Sequence, residues 1–369
     1  MVAPLISLVV LGLLVLVHEA GHFVVARWAG VRVLRFSMGF GPRLLTWSRG
    51  HTEYALSLLP LGGYVKMAGE QREEQTHQPF EYLSKPVATR FAIVFAGPLV
   101  NYLISFLTLW VVFIVGYPEL RPHVGKLMPD MPAEAAGLQT GDYVLAIDDQ
   151  PVTTWDEMTE LIHEAPGRSL RLHVERDGAQ QTLTVVPKLK ETTDPYGRHK
   201  RIGLIGVAPS GDFLALRFGP VEALRRTVAK QGEWCSSMGL AMWSLLSGKV
   251  SMKESLTGPI GIIYLTSEAV SLGMATLMYL VSLFSLSLAI FNVLPIPILD
   301  GGHLFFLLLE KLRGSPVSVT IQERAAQVSL VLLMTLAVAV CINDIQRFRL
   351  VDKVMGIFSG QPAPAVHEP

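Results

Sequence analysis

The sequence predicts a mainly α membrane protein with about four transmembrane helices, a β-hairpin that re-enters the membrane, and an extracytoplasmic α/β domain. Three observations predict it. Half of the 369 residues are hydrophobic and 17% are charged, against about 25% charged in soluble globular proteins. Four apolar stretches approach the roughly 20 helical residues that cross a hydrocarbon layer about 30 Å thick. One long segment between spans instead shows the short alternating runs of a small water-soluble domain.

The spans fall at Pro4 to Ala26, Ile93 to Val115, Met274 to Leu294 and Ala325 to Ile342. The first lacks a basic leading region and a small-residue cleavage site, so it is read as retained and not as a signal peptide. The fourth is the shortest and carries Gln327 and Ser329. Arg27, Arg32, Arg35, Arg43, Arg49, Lys66, Arg72, Lys85 and Arg90 lie between the first two spans, and Lys311, Arg313 and Arg324 between the last two. Positive charge marks both loops as cytoplasmic and sends the segment from Tyr117 to Ser271 outside.

Within that outer segment, His123 to Val207 forms a module with one core. Leu170, Leu172 and Val174 alternate with polar residues at strand period, as do Val144, Ala146 and Asp148 with Leu145 and Ile147. Met158, Leu161 and Ile162 follow helical spacing. Val221 to Leu246 reads as an amphipathic helix, either interfacial on the outer leaflet with Trp234 and Trp243 as anchors or an ordinary surface helix of the module. The chain after Gln361 alternates Pro and Ala and is expected to be disordered. The expected organisation is 1–117 for the first two spans and the β-loop, 118–208 for the module, 209–271 for a linker with the amphipathic helix, 272–345 for the last spans, and 346–369 for the tail.

Composition narrows the chemistry. The 31 Lys+Arg balance 31 Asp+Glu, so no basic field attracts nucleic acid, and none is expected as a partner. Cys235 and Cys341 are the only cysteines, too few for a disulfide framework or a Cys-rich zinc site. Any metal must use His and carboxylates.

Those residues occur inside the first span, as His18-Glu19-Ala20-Gly21-His22. Residues four apart on a helix share a face, so both imidazoles can reach one ion with Glu19 beside it as a candidate base. Ionisable groups at membrane depth are costly and point to function; the rival readings are a satisfied polar cluster or a proton relay. His22 lies five residues from Arg27, about 7.5 Å inside the cytoplasmic end of the span.

A catalytic zinc usually takes three protein ligands and leaves one position open. Asp300 stands out as the third, in Asn292-Val-Leu-Pro295-Ile-Pro297-Ile-Leu-Asp300-Gly301-Gly302-His303. The two prolines break the third span and leave turning backbone at membrane depth, tolerated only where it is buried in protein or lines a cavity. The alternatives are His303 as ligand, or a Pro-rich turn in which Asp300 merely caps. In the first cytoplasmic loop, Phe36 to Pro42 and Leu59 to Met67 flank strand-like runs. They suggest a hairpin dipping toward the membrane and able to take up an extended peptide by strand addition, or else an ordinary surface hairpin. Gly97 and Asn101 in the run FAGPLVN are assigned to close helix packing.

HEAGH, FAGPLVN, the outer module and NVLPIPILDGGH, in this order, make the chain resemble the site-2 proteases, zinc metalloproteases that cut within membranes. The likeness spans nearly the whole chain, through Gly258 to Ile262 and Glu310 to Ser318, and is strongest to bacterial members of envelope-stress signalling. It implies Zn2+ held by His18, His22 and Asp300, Glu19 as general base, and substrate contacts from Asn292 and from the strand edge at Gly62, Gly63, Tyr64 and Val65. It also implies single-span membrane substrates of the anti-sigma-factor type, remnant signal peptides, the inner membrane as location, and a PDZ-like fold binding a peptide or protein ligand. A well-known type within the family carries two PDZ modules in tandem. The segment here has room for one, with Ala136-Gly137-Leu138-Gln139-Thr140-Gly141-Asp142 as its signature. A membrane scaffold with a structural metal site and a metal or proton transporter are the rivals. A transporter would call for polar residues in several spans and an internal repeat, which the sequence lacks.

Overall fold

A computed structural model of the protein describes residues 2–193, 199–249 and 258–347. The expected disordered tail lies outside the described residues. The chain divides into two units, Met1–Leu109 with Leu256–Pro369, and Trp110–Ser255.

The first unit opens with α1 (Val2–Trp28), which ends where Gly30 takes a positive φ. Two long antiparallel strands follow, β1 (Val33–Arg49) and β2 (Thr52–Met67). Both are bulged. Residues Phe36 to Met38 pair with Val65 to Gly63 on one side and with Tyr54 to Leu56 on the other, while Leu45 to Arg49 pair with Leu56 to Thr52. The sheet therefore runs 63–67, 33–38, 52–57, 43–49, with the Gly63 to Met67 segment at one edge. The other edge carries exposed Leu44, Leu45 and Trp47, with Trp47 stacked on Tyr54. Val31, Val33, Val65 and Met67 bury against Ala26 and Ile93, which anchors the sheet to the helices. After Pro86 comes α2 (Val87–Val115), with Pro98 inside it.

The second unit contains β3 (Tyr117–Leu120), β4 (Val124–Leu127), α3 (Pro132–Ala135), β5 (Tyr143–Ile147), β6 (Gln150–Pro151), α4 (Trp155–His163), β7 (Leu170–Arg176) and β8 (Ala179–Val185). It continues with β9 (Lys188–Thr193), β10 (His199–Leu204), β11 (Val207–Pro209), β12 (Phe213–Leu216) and α5 (Pro220–Leu246). A four-stranded sheet has the order β6-β5-β7-β8; β4 pairs with β11, β3 with β12 and β9 with β10. The core gathers Leu170, Leu172 and Val174, all fully buried, with Met158 and Ile162 of α4. Each such side chain contributes about 1.5–3 kcal/mol through burial. Thr154 and Glu157 close a capping box at the start of α4. On β5 the alternation of Val144, Ala146 and Asp148 with Leu145 and Ile147 is interrupted: a bulge between Val144 and Ala146 puts Val144 and Ile147, one from each set, in the core.

Asp142 is fully buried beside this sheet. It accepts 2.7 Å bonds from Nε and Nη2 of Arg176 and a 2.8 Å bond from the Gln139 amide. Burial by itself would raise its pKa, but the guanidinium and the amide hold it below the usual carboxylate value. Along α5, Val221, Leu224, Val228 and Trp243 are exposed while Trp234 is buried, and Glu222 pairs with Arg225 and Arg226.

The first unit resumes with α6 (Pro259–Leu272), α7 (Met274–Val293), α8 (Asp300–Arg313) and α9 (Val319–Arg347). Among the described residues, four helices are long and apolar enough to cross a membrane: Pro4–Trp28, Val87–Val115, Met274–Val293 and Val319–Gln346. The last, expected to be the shortest, has 28 residues against 20 for the third, because Gln322, Glu323 and Arg324 extend the helix at its base. Sequence reading assigns residues 209–271 to a linker, yet Pro259–Leu272 is an apolar helix grouped with the first unit. It packs against α1 and α7. Asp344 of α9, fully buried, accepts from the amides of Gly258 and Gly261, a carboxylate at the positive end of a helix.

Candidate metal centre

Three side chains from two helices converge in the first unit. His18 and His22, one turn apart on α1, have Nε2 atoms 3.2 Å apart. Asp300, the first residue of α8, places Oδ2 2.8 Å from Nε2 of His18 and 3.4 Å from Nε2 of His22. Donors 2.0–2.2 Å from a tetrahedral zinc stand about 3.3 Å from one another, so this triangle has the size of three corners of such a site. Oδ2 of Asp300 is enclosed and has no partner besides these two imidazoles. A buried oxygen facing two imidazole nitrogens without a shared proton is a cost the fold removes only if a cation sits among them.

The second helix shapes this cluster. Nδ1 of His22 donates to the Ile93 carbonyl at 2.8 Å, which leaves Nε2 with its lone pair directed at Asp300. Four residues further along α2, a Cβ on Gly97 would overlap both imidazole rings. Four residues beyond that, the Asn101 amide lies 3.3 Å from Nδ1 of His18. By sequence alone Gly97 and Asn101 are expected to serve helix packing. For Gly97 the structure shows packing against the histidines themselves, and Asn101 contacts one of them, so FAGPLVN belongs to the site. The signal was the four-residue repeat of Ile93, Gly97 and Asn101, matched to that of His18 and His22. Gly21 completes the approach, since a Cβ there would come within 2.6 Å of the Ala96 carbonyl.

Asp300 is delivered by a tight turn. After α7 ends at Val293, residues 294 to 299 fold back with bonds from Ile296 N–H to Leu294 O and from Leu299 N–H to Ile296 O. A Cβ on Gly301 or Gly302 would overlap the backbone of residues 293–294 or 296–297, so both positions must be glycine. Below the turn, α8 is fastened to α2 by the paired bonds of Arg90 to Glu310, 2.5 and 3.1 Å, and by Val94, Leu304 and Leu307.

Glu19 projects beside the triangle. Its carboxylate takes the Val65 backbone amide, and the Cα of Gly63 approaches closely enough that a Cβ would stand 3.2 Å from the Glu19 Cγ. The edge segment of the sheet thus runs past the candidate base. Tyr64 accepts from Arg35 and stacks on Phe40, and Gly62 has a positive φ under that ring. Asn292 is half-buried in the last turn of α7. His303, one turn after Asp300, is not among the three converging ligands. It lines, with Glu19, His22, Tyr64, Asp300 and Glu310, a polar cavity of about 560 Å³.

A cluster of two histidines, on a helix long and apolar enough to cross a membrane, and an aspartate, with a carboxylate alongside, defines a metallopeptidase type of centre. The profile of Peptidase family M50 matches residues 6–336, and the chain belongs to that family. It is 35% identical over 355 residues to a Rhizobium meliloti protein provisionally named a zinc metalloprotease, with 92% of this chain and 95% of the relative covered. It is 32% identical to the regulator of sigma-E protease RseP of Escherichia coli, covering 92% and 97% of the two chains. Among solved structures, the PDZ domain of an SdrC-like protein from Listeria innocua aligns at 22% identity, covering 25% of this chain and 96% of that one, with a TM-score of 0.20, too low to argue from. The chain is a bacterial membrane metallopeptidase whose donor set suits zinc.

Proposed function

We propose that this zinc metalloendopeptidase hydrolyses a peptide bond within the transmembrane segment of single-span membrane proteins. The observation that carries the proposal is the His18, His22 and Asp300 triangle on membrane-spanning and adjoining helices, with Glu19 at its side. Structural zinc sites are closed by four protein ligands; among the described residues three converge here, which favours an open catalytic position over a scaffold with a structural metal.

A helical substrate shields its own peptide bonds, so it must unwind before cleavage. Its strand then adds to the sheet edge at Gly62, Gly63, Tyr64 and Val65, which offsets the lost helical bonds. Asn292, at the broken end of α7, holds the unwound segment. When bound, zinc supplies polarisation of the scissile carbonyl and makes a water more acidic. Glu19 takes the proton of the attacking water and hands it to the leaving amine, while the Val65 amide keeps the carboxylate aimed.

The loops rich in Lys and Arg lie in the cytoplasm, the second unit lies in the periplasm, and the site sits near the cytoplasmic face of the inner membrane. Substrates are of the anti-sigma-factor type, in keeping with the name of the Escherichia coli relative, or remnant signal peptides. The second unit is a single PDZ-like domain for a peptide or protein ligand, and the exposed apolar side of α5 rests on the outer leaflet. The test is cleavage of a truncated single-span reporter by purified protein in detergent, beside Glu19→Gln and a chelated sample. Cutting within the span by the wild type alone is expected; cutting that survives chelation overturns the proposal.

A further inference from the structure

The two histidines are held differently, and the difference assigns a role to Asn101. Its side chain is fully buried. Nδ2 sits 3.3 Å from Nδ1 of His18, while Oδ1 is buried with no partner. The backbone carbonyl of Asn101 is occupied separately, by the hydroxyl of Ser285 at 2.7 Å, and the next turn of α2 is fixed by reciprocal bonds between Ser105 and Ser282. The backbone around Asn101 is thus already fastened to α7 without its amide.

Nε2 of His18 faces Asp300 and His22 and must present its lone pair to act as a ligand. In a neutral imidazole the proton is then on Nδ1, and the group next to Nδ1 has to be an acceptor. An amide offers either end at the same place by turning through 180° about its last bond. We propose that Asn101 is the positioning residue of His18: its amide oxygen accepts the Nδ1 proton, fixes the tautomer and orients the ring. It does for His18 what the Ile93 carbonyl does for His22. Partners of this kind on ligand histidines are worth about 10–100-fold in metal affinity.

The inference rests on the zinc assignment above. Zinc affinity of the full-length protein in detergent is measured by chelator competition, with the absorption spectrum of the cobalt-loaded protein and the thermal midpoint of the metal-free protein as further readouts. Asn101→Leu, similar in size but without an acceptor, is expected to lower affinity about 10–100-fold and to alter the cobalt spectrum while leaving the metal-free midpoint near that of wild type. Asn101→Asp, which keeps an oxygen in place, is expected to restore affinity. Wild-type affinity in Asn101→Leu, or an equal loss in both variants, overturns the role. Undiminished affinity in His18→Ala would instead overturn the zinc assignment, so the two failures can be told apart.

Discussion

Each unit encloses an aspartate oxygen, and the two are treated in opposite ways. Asp142 in the second unit is fully enclosed and fully satisfied, with three short bonds from Arg176 and Gln139. Asp300 in the first is half-buried, and its enclosed Oδ2 points at two imidazoles and has no other partner. A satisfied buried charge holds a structure together, whereas an unsatisfied one has been kept for something else to bind. The contrast separates a structural carboxylate from a functional one without reference to any relative.

The comparison is most exposed at Asp300. Asp300→Ala is expected to abolish zinc retention and reduce reporter cleavage to background, with the thermal midpoint of the metal-free protein unchanged or raised. A strong fall in that midpoint would make Asp300 a structural residue like Asp142. Glu19→Gln comes next: zinc content, measured by atomic absorption, stays at the wild-type level while cleavage falls about 10²–10⁴-fold, and near-normal turnover would end its assignment as base. Asp142→Ala should destabilise the second unit by about 1–3 kcal/mol, by removing the acceptor of the Gln139 amide and the Arg176 guanidinium, seen as faster hydrogen exchange across residues 143–185 with zinc content unaltered.

The smallest effect is a pH dependence. Because the folded pKa of Asp142 is lowered, its contribution is present above the unfolded value near about 3.9 and disappears as pH falls through the folded value. Asp142→Asn should flatten that acid limb of exchange in the same segment; an unchanged limb would assign it to other carboxylates.

Much of this was legible in the chain because it is local. The spacing of His18 and His22 needs only the helical period, and Pro295 and Pro297 announce the break that delivers Asp300. Leu170, Leu172 and Val174 announce a strand by alternation. What stayed hidden depends on contacts between distant elements. The four-residue repeat of Ile93, Gly97 and Asn101 marks one face of α2, but nothing local shows that this face will meet His18, 83 residues from Asn101. The bulge on β5 is imposed by its pairing with β7. Pro259–Leu272 is too short to register as a span, and its capping carboxylate, Asp344, lies some 80 residues later. The base of α9 carries Gln322, Glu323 and Arg324, whose polarity resembles that of a loop although the helix continues through them.

The line of Ile93, Gly97 and Asn101 along α2 has one more consequence. A membrane helix ordinarily accommodates a change of length by tilting, so an added residue in a span is often harmless. Here a single insertion between Ile93 and Asn101 would swing the amide by about 100° around the helix axis, off His18, while the hydropathy of the span stayed the same. The second helix is therefore keyed by rotation, not by thickness, and the spacing of those three positions is as much a part of the centre as the residues that occupy them.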